Sequence, residues 1–168
     1  FPADRIVHRV DGLTSDDVIA ALGAVRPEVV INCIGLIKQM EHAGDPLLAL
    51  SMNALLPHRV AAICRAAGAR FIHISTDCVF SGRKGNYVES DPSDAEDVYG
   101  RTKFLGEVQG PHAITMRTSI IGQEIKNRLG LVEWFLAQTG TIKGYQKAMY
   151  SGFTTDELSR IILEHVIP

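Results

Sequence analysis

Tyr99 and Lys103 stand four residues apart in Tyr99-Gly100-Arg101-Thr102-Lys103. On a helix that spacing puts a phenol and an ammonium on one face. Upstream, the run Phe71-Ile72-His73-Ile74 ends abruptly in Ser75-Thr76-Asp77-Cys78. An apolar run closing in hydroxyl and carboxylate side chains has the look of a buried parallel strand whose carboxyl end opens into a site. A strand-tip hydroxyl, a phenol and a lysine are the parts needed to move a proton to or from a carbonyl or alcohol oxygen. Plainer readings stand beside this one. Thr76 could cap its own strand end, and Tyr99 and Lys103 could be an amphipathic residue and a solvated charge. Their joint occurrence, in this order, favours chemistry.

The elements that must position these groups come from a chain of 168 residues, long enough to bury a core. A formal charge of -2 argues against nucleic acid or an anionic membrane as electrostatic partner. No apolar run approaches the ~20 residues of a membrane span and no signal peptide opens the chain, so no membrane partner and a cytoplasmic location are expected. Cys33, Cys64 and Cys78 are odd in number and lie in apolar or helical contexts, which suits reduced thiols. The six histidines show no paired spacing with cysteines or carboxylates, and no metal is expected.

Arg5 to Val10 is a strand candidate ending at Asp11-Gly12. Thr14 then reads as an N-cap with Asp16 and Asp17 in the first helical turn, and Pro27 marks that helix's end. Val29 to Ile34 is a buried strand broken by Gly35. Asp45-Pro46 is a helix start, a capping residue before a proline, and the helix should run to Gly68 with a kink allowed by Pro57. The loop Ser81 to Asp94 exceeds the usual length, so it is functional or mobile. The helix carrying Tyr99 and Lys103 should end near Gly110-Pro111, with a strand over Ala113 to Thr118. Beyond Gly122 a helix is expected over Leu131 to Gln138, a short strand over Thr141 to Tyr145, and a capping box at Thr154 to Glu157 ahead of an amphipathic helix. Trp134, Phe135 and Met149 read as core residues.

Strands alternating with helices imply an α/β fold of Rossmann type, a doubly wound parallel sheet with helices on its faces. Ligands of such sheets sit beyond the carboxyl ends of the strands, where Asp11, Gly35, Thr76 and Thr118 should line one crevice. The glycine-rich turn that normally opens a dinucleotide fold does not occur ahead of the first strand.

The ordered set Val29-Val30-Ile31-Asn32-Cys33, Asn53 with Pro57, Ile74 to Gly82, Tyr87-Val88-Glu89, Val98 to Glu107 and Arg117-Thr118-Ser119 resembles the extended short-chain dehydrogenase/reductase superfamily. Within it the likeness is to dTDP-4-dehydrorhamnose reductase-like proteins, and Ser151 to Leu158 loosely matches a later segment of the same family. The resemblance implies a partial dinucleotide-binding (Rossmann) domain over 1–122, lacking the N-terminal glycine-rich βαβ unit. Residues 123–168 would be part of a smaller substrate lobe and a returning helix. A whole protein of roughly 280–300 residues is then expected, larger than one typical domain.

It also implies an NAD(P)-dependent oxidoreductase with NADP or NAD as cofactor and a nucleotide-activated 4-keto-6-deoxy sugar as substrate, working in polysaccharide biosynthesis. Thr76, Tyr99 and Lys103 would be catalytic: Tyr99 the acid/base, Lys103 lowering its pKa and holding the nicotinamide ribose, Thr76 bonding the reacting oxygen. Asp11, Gly12, Cys33, Ile34, Gly35, Asn53 and Ser75, with Tyr99 and Lys103, would line the cofactor groove, and Thr76, Asp77 and Cys78 would face the sugar. The resemblance admits a homodimer and gives no reason to expect binding of polymeric nucleic acid. A sugar-nucleotide 4-epimerase, or a non-catalytic regulatory subunit of the same fold, are the alternatives. The sequence departs from the rhamnose-type pattern at Cys78, commonly a tyrosine, and at Ile120, often aromatic. Asp77 lacks the following glutamate of the related dehydratases.

Bland alternatives stay open residue by residue. Asp11 could make only an Asx turn, and Asn53 could bridge helix to backbone or simply sit polar in a helix. Arg117 reads as a structural ion-pair partner, His73 as a satisfied core histidine, and Cys33 and Cys78 as packing residues without an adjacent base.

Overall fold

The computed structural model describes residues 3–38, 40, 42, 44–124 and 130–168. They form two compact units, Phe1–Arg117 and Thr118–Pro168.

The first unit is built on a parallel sheet of order β1-β2-β3, with β1 Val29–Asn32, β2 Arg70–Ile74 and β3 Ala113–Met116. Helical crossovers join the strands, which is the Rossmann-type α/β arrangement expected. The crossover from β1 to β2 starts where Asp45 and Pro46 predict. The Asp45 carboxylate accepts from Leu47 N at 2.9 Å and Leu48 N at 3.3 Å, and Pro46 occupies a first-turn position where no N–H is needed. α2 (Pro46–Ala49), a π-helical stretch Leu50–Leu55 and α3 (Leu56–Ala67) follow as one helix. Pro57 has no N–H to donate, and the chain absorbs that loss by widening to i→i+5 bonds just before it. Gly68, at φ 72°, closes the helix in the left-handed conformation that glycine adopts freely.

The core lies where α3 covers β2. Leu56, Val60, Ala61 and Cys64 of the helix pack with Ala69, Phe71 and Val108. The Pro46–Ala67 helix is 22 residues long and holds an 18-residue stretch with a mean hydropathy of 1.4, so one segment does have the length and composition of a membrane span, contrary to expectation. Its apolar content is explained by the sheet it covers, since Leu56, Pro57, Val60 and Cys64 are buried.

Several expected elements change. Residues 5–10 form no strand: a 3-10 turn covers Ala3–Arg5 and Arg9 takes φ 59°, which breaks an extended run. α1 spans Ser15–Val25 with Asp16 and Asp17 in its first turn, but Thr14 makes no side-chain cap, because its hydroxyl donates to Asp11 Oδ2 at 3.4 Å instead. β1 ends at Asn32, whose Oδ1 accepts from Ile34 N at 3.1 Å and turns the chain early. α4 spans Val98–Leu105, shorter than expected because Gly106 ends it.

In the second unit, β4 (Ile120–Ile121) pairs in parallel with β5 (Phe153–Thr154), and no strand forms over 141–145. α5 covers Leu131–Leu136, and α6 (Thr155–Ile161) continues into a π-helical stretch Ile162–Val166. Thr154 Oγ1 caps α6 by accepting from Glu157 N at 3.2 Å, while the Glu157 carboxylate turns to Arg160, so half of the expected capping box is made. Trp134, Phe135 and Met149 are exposed rather than core, Met149 by 93%.

Candidate active site

The site is assembled between the carboxyl end of β2 and helix α4. Asp97 caps α4, its Oδ1 accepting from Gly100 N at 2.8 Å, and its Oδ2 holds the Lys38 ammonium at 2.9 Å. Two glycines let the helix approach its neighbours. A Cβ on Gly100 would collide with the carbonyl oxygen of Cys78, and one on Gly106 with the carbonyl oxygen of Asn53. The first contact sets α4 against the Thr76–Cys78 turn, the second against the π-helical stretch.

Three consecutive residues at the strand tip then each meet α4 or Glu107, two residues beyond it. The carbonyl of Ile74 accepts from Lys103 Nζ at 2.7 Å. The Ser75 hydroxyl donates to Glu107 Oε1 at 2.9 Å. The Thr76 hydroxyl faces the Tyr99 phenol and opposes the rise that burial gives its pKa. That hydroxyl also accepts from Cys78 N at 3.1 Å, so Thr76 caps the short Asp77–Val79 turn as well as facing the phenol.

Burial dominates the electrostatics. Lys103 is 4% exposed, and loss of hydration lowers its pKa to about 8, opposed by the Glu107 carboxylate and the Cys33 thiol. Tyr99 is half-buried, and burial raises its phenol above the ordinary value; Thr76 and the Lys38 ammonium oppose the rise, while Cys78 and Asp77 add to it. The Lys38 ammonium stands 5.5 Å from the Tyr99 ring centroid. For Lys38 itself burial works against the charge, but the hydrogen bond it donates to Asp97 and the attraction of Cys78, Asp97 and Tyr99 together outweigh it and the pKa rises. Lys38 thus acts on the phenol in the sense that the resemblance implies for Lys103.

Gly35 joins the cluster from the end of β1. A Cβ there would lie 3.3 Å from Asn53 Oδ1 and 3.7 Å from Lys103 Nζ. Asn53 is fully buried and ties three segments together: its Oδ1 accepts from Leu36 N at 2.8 Å, and its Nδ2 donates to Leu36 O at 3.0 Å and Thr102 Oγ1 at 3.2 Å. Cys33 is exposed, and burial of part of its surroundings raises its thiol while Lys103 lowers it. Gly12 and Ile34 line a separate apolar cavity of about 270 Å³ with Val10, Asn32 and Leu56. Asp77 is exposed and its Oδ1 accepts from Thr76 Oγ1 at 3.2 Å.

Other expected residues are otherwise engaged. Asp11 builds the Asx turn ahead of α1, its Oδ1 accepting from Leu13 N at 2.9 Å. The Ser75 hydroxyl, expected in the cofactor groove, is taken by Glu107. Arg117 makes the structural ion pair expected of it, its NH2 donating to Glu107 Oε2 at 2.7 Å. Thr118 opens the second unit. His73 is only half satisfied. Its Nδ1 lies 3.1 Å from Asn32 Nδ2, which can only donate, while Nε2 has no partner among the described residues. The long loop is pinned by its own carboxylates: Asp94 accepts from Ser81 N at 2.7 Å, and Lys84 bonds Asp91 at 2.6 Å.

Sequence reasoning missed Lys38, Asp97 and Glu107. Asp97 carried a local signal, a capping residue directly before the helix. Glu107 carried one too, since it follows Lys103 by the same four residues that separate Lys103 from Tyr99. Lys38 carried none.

Residues 4–144 match the family described as RmlD substrate binding domain. The chain belongs to this family. The RmlD assignment also puts it in the extended short-chain dehydrogenase/reductase superfamily that the motifs resemble. A dTDP-4-dehydrorhamnose reductase of Streptomyces griseus is 41% identical over 91 residues, 54% of this chain and 30% of that protein. The crystal structure of a dTDP-4-dehydrorhamnose reductase from Clostridium acetobutylicum superposes with a TM-score of 0.79 at 25% identity, covering 94% of this chain and 58% of that one. A dTDP-4-dehydrorhamnose reductase from Bacillus anthracis, solved in complex with NADP, gives 0.63 at 27% identity over 70% of this chain and 44% of its own. This RmlD-type chain spans about a third of the length of the curated relatives it matches.

Proposed function

We propose that the protein carrying this chain reduces the 4-keto group of a nucleotide-activated 6-deoxy sugar, with Tyr99 as the proton donor. The observation that carries the proposal is the set of contacts at the β2 tip. A strand-end hydroxyl faces a half-buried phenol, and a buried ammonium is fastened to the carbonyl two residues before that hydroxyl.

The residues suit a nicotinamide dinucleotide. The Gly35 surface is backbone only and lies against Asn53 Oδ1, an acceptor, and the Lys103 ammonium, a donor, so a ribose hydroxyl there would meet both without a side chain in its way. Cys33 and Ile34 would flank it, with Gly12 and the apolar cavity toward the adenine end. When bound, NADPH or NADH supplies the hydride for the keto carbon. NADP complexed with a relative that covers most of this chain favours the phosphorylated form.

The roles of the side chains follow from their chemistry. Thr76 donates a hydrogen bond to the keto oxygen and holds it beside the phenol. Tyr99 is neutral at physiological pH, because burial raises its pKa, and a neutral phenol has the proton that reduction requires. As that proton leaves, phenolate charge develops beside the Lys38 ammonium, which is charged beforehand and needs no reorganisation. Asp77 and Cys78 would shape the sugar pocket.

Tyr99→Phe in the whole protein tests the reading. Oxidation of NADPH by a dTDP-4-keto-6-deoxy sugar should fall by at least about 100-fold, the usual worth of a positioned acid, with coenzyme binding retained. Turnover at the parent rate would refute it.

A further inference from the structure

Tyr99, Lys103 and Glu107 recur at intervals of four, and each faces one of the consecutive residues Thr76, Ile74 and Ser75. The first two contacts belong to the proposed chemistry. The third has no role in it, yet it is the most heavily built. Glu107 Oε1 accepts from Ser75 Oγ at 2.9 Å and from Arg117 Nε at 2.9 Å, while Oε2 accepts from Arg117 NH2 at 2.7 Å. The carboxylate side chain is 7% exposed and the guanidinium 20%. Arg117 is itself planted at the end of β3: its guanidinium lies 5.0 Å from the Phe80 ring centroid, and NH1 donates to Glu89 O at 3.2 Å. A bidentate pair of this kind fixes direction as well as distance. Glu107 therefore clamps the tips of β2 and β3 to the end of α4.

We infer that Glu107, held by Arg117, is a positioning residue for the proposed reduction: it fixes the Thr76 tip against Tyr99 and sets a buried carboxylate four residues beyond Lys103. The inference rests on the reductase reading for its kinetic part. Its electrostatic part concerns this chain alone. The titratable groups around Lys103 are Glu107 beyond its own helix, Cys33 after β1 and His73 on β2; His73 stays neutral, and of the other two Glu107 acts more strongly to keep the lysine charged.

Glu107→Gln in the whole protein preserves size and an acceptor for Ser75 while removing the charge. Turnover of NADPH with a 4-keto sugar nucleotide should fall about 10- to 100-fold with both KM values nearly unchanged. The basic limb of the kcat profile, set by loss of the Lys103 proton near pH 8, should move about one unit lower. The Lys103 resonance in lysine-labelled NMR, identified by its loss in Lys103→Met, should titrate lower by the same amount. Glu107→Asp should restore the limb. An unmoved limb and an unmoved Lys103 titration would overturn the inference, whatever happens to stability. Should the parent reduce no keto sugar, the reductase reading fails, and the NMR titration still decides the electrostatic part. Ser75→Ala removes the strand side of the clamp without touching charge. It should lower kcat by about 10-fold and leave the Lys103 titration in place, and a parent-like kcat would overturn the positioning role.

Discussion

Lys103 donates to the backbone carbonyl of Ile74 at 2.7 Å, so the lysine is fastened to the last residue of the strand that leads into Thr76 rather than to the phenol. A residue expected to serve a tyrosine is thereby also a tie between α4 and β2. Burial has lowered its pKa to about 8, and holding the charge there at neutral pH is a standing cost to the fold.

Lys103→Met should expose that cost. At pH 7 the parent spends about 3 kcal/mol keeping the buried ammonium charged relative to water. Losing the bond to Ile74 returns about 1–3 kcal/mol in the other direction. The variant of the whole protein should be inactive yet at least as stable as the parent by urea unfolding. A large fall in the unfolding midpoint would mean that the ammonium stabilises the fold.

Gly100→Ala drives a methyl group into the carbonyl oxygen of Cys78 and must push α4 away from the Thr76–Cys78 turn. Overpacking of this kind costs about 1–3 kcal/mol. Because Tyr99 moves with the helix, turnover should fall further than stability alone explains, read as a drop in kcat at a temperature where the variant is folded. Unchanged kcat and unfolding midpoint would show that the turn yields freely.

His73 is fully buried, and burial, with Lys103 nearby, lowers its pKa to about 3 from an ordinary 6.5. Between those values the unfolded chain takes up a proton that the folded chain refuses. The stability due to the neutral ring is therefore present above pH 6.5 and is lost as pH falls toward 3, at up to about 1.4 kcal/mol per pH unit. His73→Gln has no proton to gain, and its urea midpoints between pH 7 and 4 should fall less steeply by up to one proton. Parallel slopes for parent and variant would show that the histidine titrates alike in both states.

What could be read without coordinates was what neighbours along the chain enforce on one another. Asp45-Pro46 starts a helix because a carboxylate and a proline meet the needs of the first turn locally. Tyr99 and Lys103 share a face because helical periodicity puts them there. The strand over 71–74 declares itself by an apolar run that only a covered sheet can bury. Residues 5–10 and 141–145 show the limit of that reasoning. A strand exists only with a partner to take its backbone hydrogen bonds, and local composition says nothing of where the partner lies.

The helix, the strand and the shared face of Tyr99 and Lys103 were thus determined by the sequence alone, since each depends on contacts within a few residues. The tertiary structure decided which distant groups hold them. Asn32 and His73 are 41 residues apart, Ser75 and Glu107 are 32, and Lys38 and Asp97 are 59. Such bonds form only because parallel strands and their crossovers bring the ends together, and the geometry that turns a tyrosine near a threonine into a candidate acid rests on them.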